Sequence, residues 1–80
     1  MHEVSLCESI IKIIEKQAEK EDFQHVQTVT LAVGRQSGAS LESLSFAFPL
    51  VAKNTRAEGA ELVIEETDGR ELRVKALEVG

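Results

Sequence analysis

Leu6, Cys7, Ile10, Ile13, Ile14 and Ala18 recur at three- and four-residue spacing, with Glu, Lys and Gln filling most other positions. This predicts an amphipathic helix over about residues 5–21. Ser5 followed by Glu8 fits a capping box at its start, and Ile11, off the stripe, widens the apolar face. Glu15 with Glu19 and Lys16 with Lys20 are like-charged pairs four apart, so packing rather than surface pairing must hold this helix. Over residues 26–34 the period changes to two. Val29, Leu31 and Val33 alternate with Thr28, Thr30 and Ala32, which predicts a strand whose second face is only weakly polar and which suits the middle of a sheet. Gly34 and Gly38 bracket a loop. A second helix follows to about Lys53, capped by Ser37 or Ser40, with Glu42 in its first turn. Its stripe is Leu41, Leu44, Phe48, Val51 and Ala52, flanked by Phe46 and Ala47. Pro49 predicts a bend near Ser45 rather than an end, because stopping there would leave Leu50, Val51 and Ala52 uncovered.

Two further strands are expected, over about residues 60–66 and 70–79. A three-residue Thr67-Asp68-Gly69 loop, with Gly69 in the left-handed region, would pair Ile64 with Leu72, Leu62 with Val74 and Ala60 with Ala76, all apolar and on one face. It would also set Glu61 opposite Lys75. Beyond Ala76 the apolar parity shifts to Leu77 and Val79, which points to a bulge or to cover on both faces. The expected fold is therefore an α+β two-layer domain of order α-β-α-β-β. It has a mixed three-stranded sheet with two helices on one face and a final β-hairpin closed by Thr67-Asp68-Gly69.

Eighty residues make one domain of modest stability. With 42% hydrophobic and 29% charged residues the chain is of ordinary globular type, no tract reaches membrane-spanning length, and the start does not look like a secretory signal. A cytoplasmic location is expected. The single cysteine, Cys7, supplies neither an internal disulfide nor a tetrahedral thiolate zinc site, and reads as a small hydrophobe. The net charge of −5 comes with no Lys or Arg stripe, so neither nucleic acid nor a membrane is an expected partner. No paired carboxylates, Ser/His/Asp set, Cys/His dyad or phosphate-cradling glycine loop is present in the pattern, so an enzyme is not expected.

Chemistry concentrates at Met1-His2-Glu3. The α-amine of Met1, the imidazole of His2 and the peptide nitrogen between them close two fused chelate rings, and Glu3 can complete the set through its backbone nitrogen or its carboxylate. Such nitrogen-rich, planar sets suit Ni(II) or Cu(II), whereas zinc prefers a tetrahedron. The same three residues also describe an ordinary solvated terminus. The amine must be unblocked, and the ligands must lose protons, so affinity falls with acid. His25, alone in a loop, reads as a solvated residue.

The opening Met1-His2-Glu3-Val4-Ser5-Leu6-Cys7-Glu8-Ser9-Ile10 resembles that of the HypA/HybF family of hydrogenase nickel-incorporation proteins. The likeness continues through Val29-Thr30-Leu31-Ala32-Val33-Gly34, Leu44-Ser45-Phe46-Ala47-Phe48, Thr55-Arg56-Ala57-Glu58-Gly59-Ala60-Glu61-Leu62 and Glu71-Leu72-Arg73-Val74-Lys75-Ala76-Leu77-Glu78-Val79. The resemblance implies a nickel metallochaperone domain that binds Ni(II) at Met1, His2 and Glu3 through the α-amine, the His2 imidazole and the backbone nitrogens of residues 2 and 3. It implies delivery during maturation of nickel-iron hydrogenase, with the GTPase HypB and the hydrogenase large subunit as partners and urease maturation proteins as further ones. Members of that family carry a zinc domain with two Cys-x-x-Cys pairs at a point where this chain has only Thr67-Asp68-Gly69-Arg70. Residues 1–80 are thus expected to form a single nickel-binding domain that lacks the zinc domain between about residues 66 and 71, and no zinc is expected. Two other readings stay open: a metal-independent protein-interaction module, and a homodimer or domain-swapped oligomer of a chain lacking the zinc domain.

Overall fold

The computed structural model describes residues 3–80. The element order is α1 (Glu3–Glu21), β1 (Val26–Gly34), α2 (Leu41–Ala52), β2 (Glu61–Thr67) and β3 (Leu72–Val79), the expected α-β-α-β-β order. Both helices pack with one face of a mixed three-stranded sheet around a single core.

α1 already includes Glu3, so Ser5 lies inside its first turns and the expected Ser5/Glu8 capping box is not its start. The buried stripe is Cys7, Ile10, Ile11, Ile14 and Ala18. Ile13, expected inside, is 51% exposed, and Ile11, expected at the margin, is buried. The reason is geometric: positions 7, 11, 14 and 18 form one continuous row, and Ile13 projects to its side. Glu15 ties α1 to the connection after α2. Its carboxylate accepts from the Arg56 backbone N–H at 3.0 Å and pairs with the Arg56 guanidinium, while the Arg56 carbonyl accepts from Val26 N at 2.9 Å.

Ser40 caps α2, its hydroxyl accepting from Ser43 N at 3.2 Å. The helix continues through Pro49 to Ala52 and buries Leu44, Ala47, Phe48 and Ala52. It carries the chain from β1 to a parallel β2, as a parallel connection requires.

The sheet order is β2-β1-β3. β1 is central, as its apolar face and weakly polar second face predict, and Val29, Leu31 and Val33 are at most 1% exposed. The expected β-hairpin closed by Thr67-Asp68-Gly69 is overturned: β2 pairs with β1 in parallel, β3 pairs with β1 antiparallel on the other side, and β2 and β3 are not neighbours. Leu62 and Ile64 therefore face Val29 and Leu31 rather than Val74 and Leu72, and Lys75 pairs with Glu65 rather than Glu61. In a three-stranded sheet a central β1 and a β2–β3 hairpin exclude one another. The burial of β1 decides between them, because strand partners on both edges cover its apolar row. Gly69 does not adopt the left-handed conformation, which among the glycines is found at Gly38 and Gly59.

Residues 68–71 instead run across the end of β1. Two strand spacings amount to about 10 Å, within the reach of four extended residues. The crossing is pinned by Gly34 N donating to the Glu71 carbonyl (2.7 Å), Arg35 N to the Thr67 carbonyl (2.9 Å) and Gln36 N to the Gly69 carbonyl (2.9 Å). Within β3 the register slips between Val74, opposite Leu31, and Ala76, opposite Thr30, so that Lys75 is the extra residue of a bulge. This explains the parity change: Leu72, Val74 and Leu77 pack with the core, and Arg73, Lys75, Ala76 and Glu78 belong to the open face.

Candidate metal-binding terminus

Of the predicted site residues, Met1 and His2 lie outside the described residues, and Glu3 is the first that the structure describes. Its carboxylate accepts a hydrogen bond from the backbone N–H of Ser40 at 3.1 Å. Ser40 is also the N-cap of α2, so the beginnings of both helices are drawn together at the chain terminus. The sequence pattern offers Ser37 or Ser40 as the cap, and the structure selects Ser40. Its contact with a residue 37 positions away carries no local signal and is created only by the fold.

This contact turns the Glu3 carboxylate toward Ser40. The positive ends of two helix dipoles converge here and on their own disfavour a cation. Glu3 and Glu42, which line one depression with Val4 and Phe46, set two carboxylates against that field.

Cys7 sits one turn along α1 and is 0% exposed, its thiol directed at the Leu44 carbonyl at 3.9 Å. Burial pushes its pKa up and the Glu3 charge adds to the rise, so at neutral pH it stays a protonated thiol rather than a metal ligand. It is the small core hydrophobe that its isolation in the sequence suggests. His25 lies at the far end of β1, exposed, with its carbonyl accepting from Gly80 N. Among the described residues no group of three His, Cys, Asp or Glu side chains is arranged to hold a metal ion. No helix among them is long and apolar enough to cross a membrane.

A second feature adjoins the terminus. Val4 of α1 and Phe46 and Leu50 of α2 are 54%, 75% and 66% exposed, and together they line two adjacent depressions between the helices. Sequence periodicity assigns Phe46 to the flank of the buried stripe; the structure turns it to solvent.

The hydrogenase/urease nickel incorporation metallochaperone family, hypA, matches residues 1–72. The chain is 45% identical over 69 residues to the hydrogenase maturation factor HypA of Xanthobacter autotrophicus, covering 86% of this chain and 61% of that one. It is 48% identical over 69 residues to the hydrogenase maturation factor HypA 2 of Bradyrhizobium diazoefficiens, with the same coverage. The chain thus spans about three-fifths of the length of these relatives. The solution structure of the Ni metallochaperone HypA from Helicobacter pylori superposes with a TM-score of 0.89 over 99% of this chain and 97% of that one, at 20% identity, a likeness of fold. A single cysteine accords with the lack of the paired Cys-x-x-Cys zinc domain. The chain belongs to the HypA family of hydrogenase/urease nickel-incorporation metallochaperones, a family of metal carriers rather than of enzymes.

Proposed function

We propose that this chain binds Ni(II) at its N-terminus and passes it on during maturation of nickel-iron hydrogenase. The ligands are the Met1 α-amine, the His2 imidazole and the backbone nitrogens of His2 and Glu3. The observation that carries this reading is the hydrogen bond from Ser40 N to the Glu3 carboxylate. It holds the third residue of the Met1-His2-Glu3 motif against the body of the domain. A terminal site suits a carrier that must release its cargo.

The recipients are the GTPase HypB and the hydrogenase large subunit, or the corresponding urease maturation proteins. The apolar surface of Val4, Phe46 and Leu50 lies beside the terminus and is where a recipient would cover the metal during transfer. Its exposure also favours the second reading, a module whose protein binding does not depend on metal. No zinc takes part in either.

The test is nickel titration of the untagged chain by calorimetry and by the d–d absorption of planar nickel, against His2→Ala and an N-acetylated form. Loss of binding in both altered forms is expected, and unchanged uptake in either refutes the terminal site. Binding of HypB that persists in His2→Ala but is lost in Phe46→Asp favours the interaction module.

A further inference from the structure

We infer that β3 is the dimerisation edge of this domain and that its occupant is a second copy of the same strand, paired antiparallel about a two-fold axis to give a six-stranded sheet β2-β1-β3-β3′-β1′-β2′. β3 is an edge strand, with β1 on one side and no strand among the described residues on the other. A bulge ordinarily blunts such an edge. Here it has the opposite effect because of where it sits. With the axis passing beside Lys75 and Ala76, Val74 faces the partner's Leu77, Arg73 faces the partner's Glu78, and Leu72 faces the partner's Val79. In a regular strand, residues three apart point to opposite faces, so this register would set inward side chains against outward ones. The extra residue at Lys75 restores the match, because Val74 and Leu77 both face the core while Arg73 and Glu78 both belong to the open face.

The charges fit as well. Arg73 enters no salt bridge or side-chain hydrogen bond among the described residues and feels only the exposed Glu71 carboxylate two residues before it, and Glu78 accepts from the Thr28 hydroxyl through only one of its oxygens. The pairing supplies each with an opposite charge twice over, by symmetry. Lys75, the residue nearest the axis, is already neutralised by Glu65 of its own copy, which removes the like-charge contact that would otherwise oppose approach. On the core-facing side, Ile13 and Val79 are 51% and 47% exposed along a groove between α1 and β3 that a second α1 would cover. The other edge is unsuited to self-pairing: β2 carries Glu61, Glu65 and Glu66 and no cation, so two copies would repel.

Sedimentation of the full chain from micromolar to millimolar concentration tests this, with Arg73→Glu, Glu78→Arg and the double variant run beside it. The parent is expected to reach twice the chain mass, each single reversal to weaken association about tenfold or more through two symmetric pairs, and the double variant to recover the parent's behaviour. Both residues are on the surface, and circular dichroism of each variant verifies folding. Amide exchange in β3 that slows as concentration rises gives an independent positive reading. A parent that stays monomeric at millimolar concentration, a dimer insensitive to Arg73→Glu, or a folded double variant that stays monomeric would each overturn the assignment.

Discussion

Replacing Gly34 by alanine adds one carbon where the crossing backbone already stands. A Cβ built there lies 2.0 Å from the Gly69 carbonyl oxygen, 2.4 Å from its carbon and 2.8 Å from Arg70 N, whereas ordinary contact begins at 3.4 Å. All three atoms are main chain, so no side chain can swing away. The crossing must recede, and it is held by the Gly34 N, Arg35 N and Gln36 N hydrogen bonds at 2.7–2.9 Å, which do not survive such a displacement. At about 1 kcal/mol each, and more where a donor is left buried, the loss is about 2–4 kcal/mol. A domain of this size has a total of roughly 4–12 kcal/mol, so the melting temperature should fall by on the order of 10–25 °C. The sign is diagnostic. Gly34 is not in the left-handed region, and where its φ alone decides, alanine stabilises by about 0.4–1 kcal/mol through the unfolded chain. Thermal and urea unfolding followed by circular dichroism separate the two. Gly38→Ala is the control: open space surrounds it at φ +83°, and only conformational strain of about 1 kcal/mol is expected there. If Gly34→Ala unfolds at or above the parent's temperature, residues 68–71 do not cross β1 as described.

Glu15→Ala removes the acceptor of the Arg56 N–H and guanidinium. With both side chains 31% exposed, the loss should be about 1–2 kcal/mol, read by urea unfolding. Cys7 should resist thiol reagents in the folded chain and react at once in urea, since its thiol is 0% exposed and held protonated. The folded state retains that proton more tightly than the unfolded one. Its contribution to stability is therefore full below the ordinary thiol pKa and declines as pH rises past it, an alkaline loss that Cys7→Ala should abolish. Glu71 acts in the opposite sense. A hydrogen bond from its own backbone N–H, with Arg73 contributing, holds its carboxyl below the usual range, so its contribution is present above the ordinary carboxylate pKa and disappears as pH falls through the lowered value. Acid unfolding of Glu71→Gln against the parent measures it.

The sequence by itself determined the elements. Period 3.6 in residues 5–21 and 41–53 and period two in residues 26–34 arise from local geometry that each segment carries alone, and the helices and strands lie close to where those periods place them. It also narrowed the α2 cap to Ser37 or Ser40, marked β1 as suited to the middle of the sheet, identified Cys7 as a small hydrophobe, and offered a bulge as one of two accounts of the parity shift in β3; the structure selects Ser40 and the bulge. The Met1-His2-Glu3 motif can be proposed as a nitrogen-rich chelate from the sequence because its candidate donors are adjacent in the chain.

Only the tertiary structure decided which strands meet. Two apolar strands joined by a short Thr67-Asp68-Gly69 loop carry the local signature of a hairpin, and that signature is silent on a third strand passing between them. The apolar row of Val29, Leu31 and Val33 is fully covered when β2 and β3 flank it on either side. That gain is long-range and outweighs the local preference of the turn. The same passage of the chain leaves no room for a side chain at Gly34, where the sequence shows an ordinary loop glycine. It also sets the Glu3 carboxylate against Ser40, because closeness in space across 37 residues has no trace in their spacing.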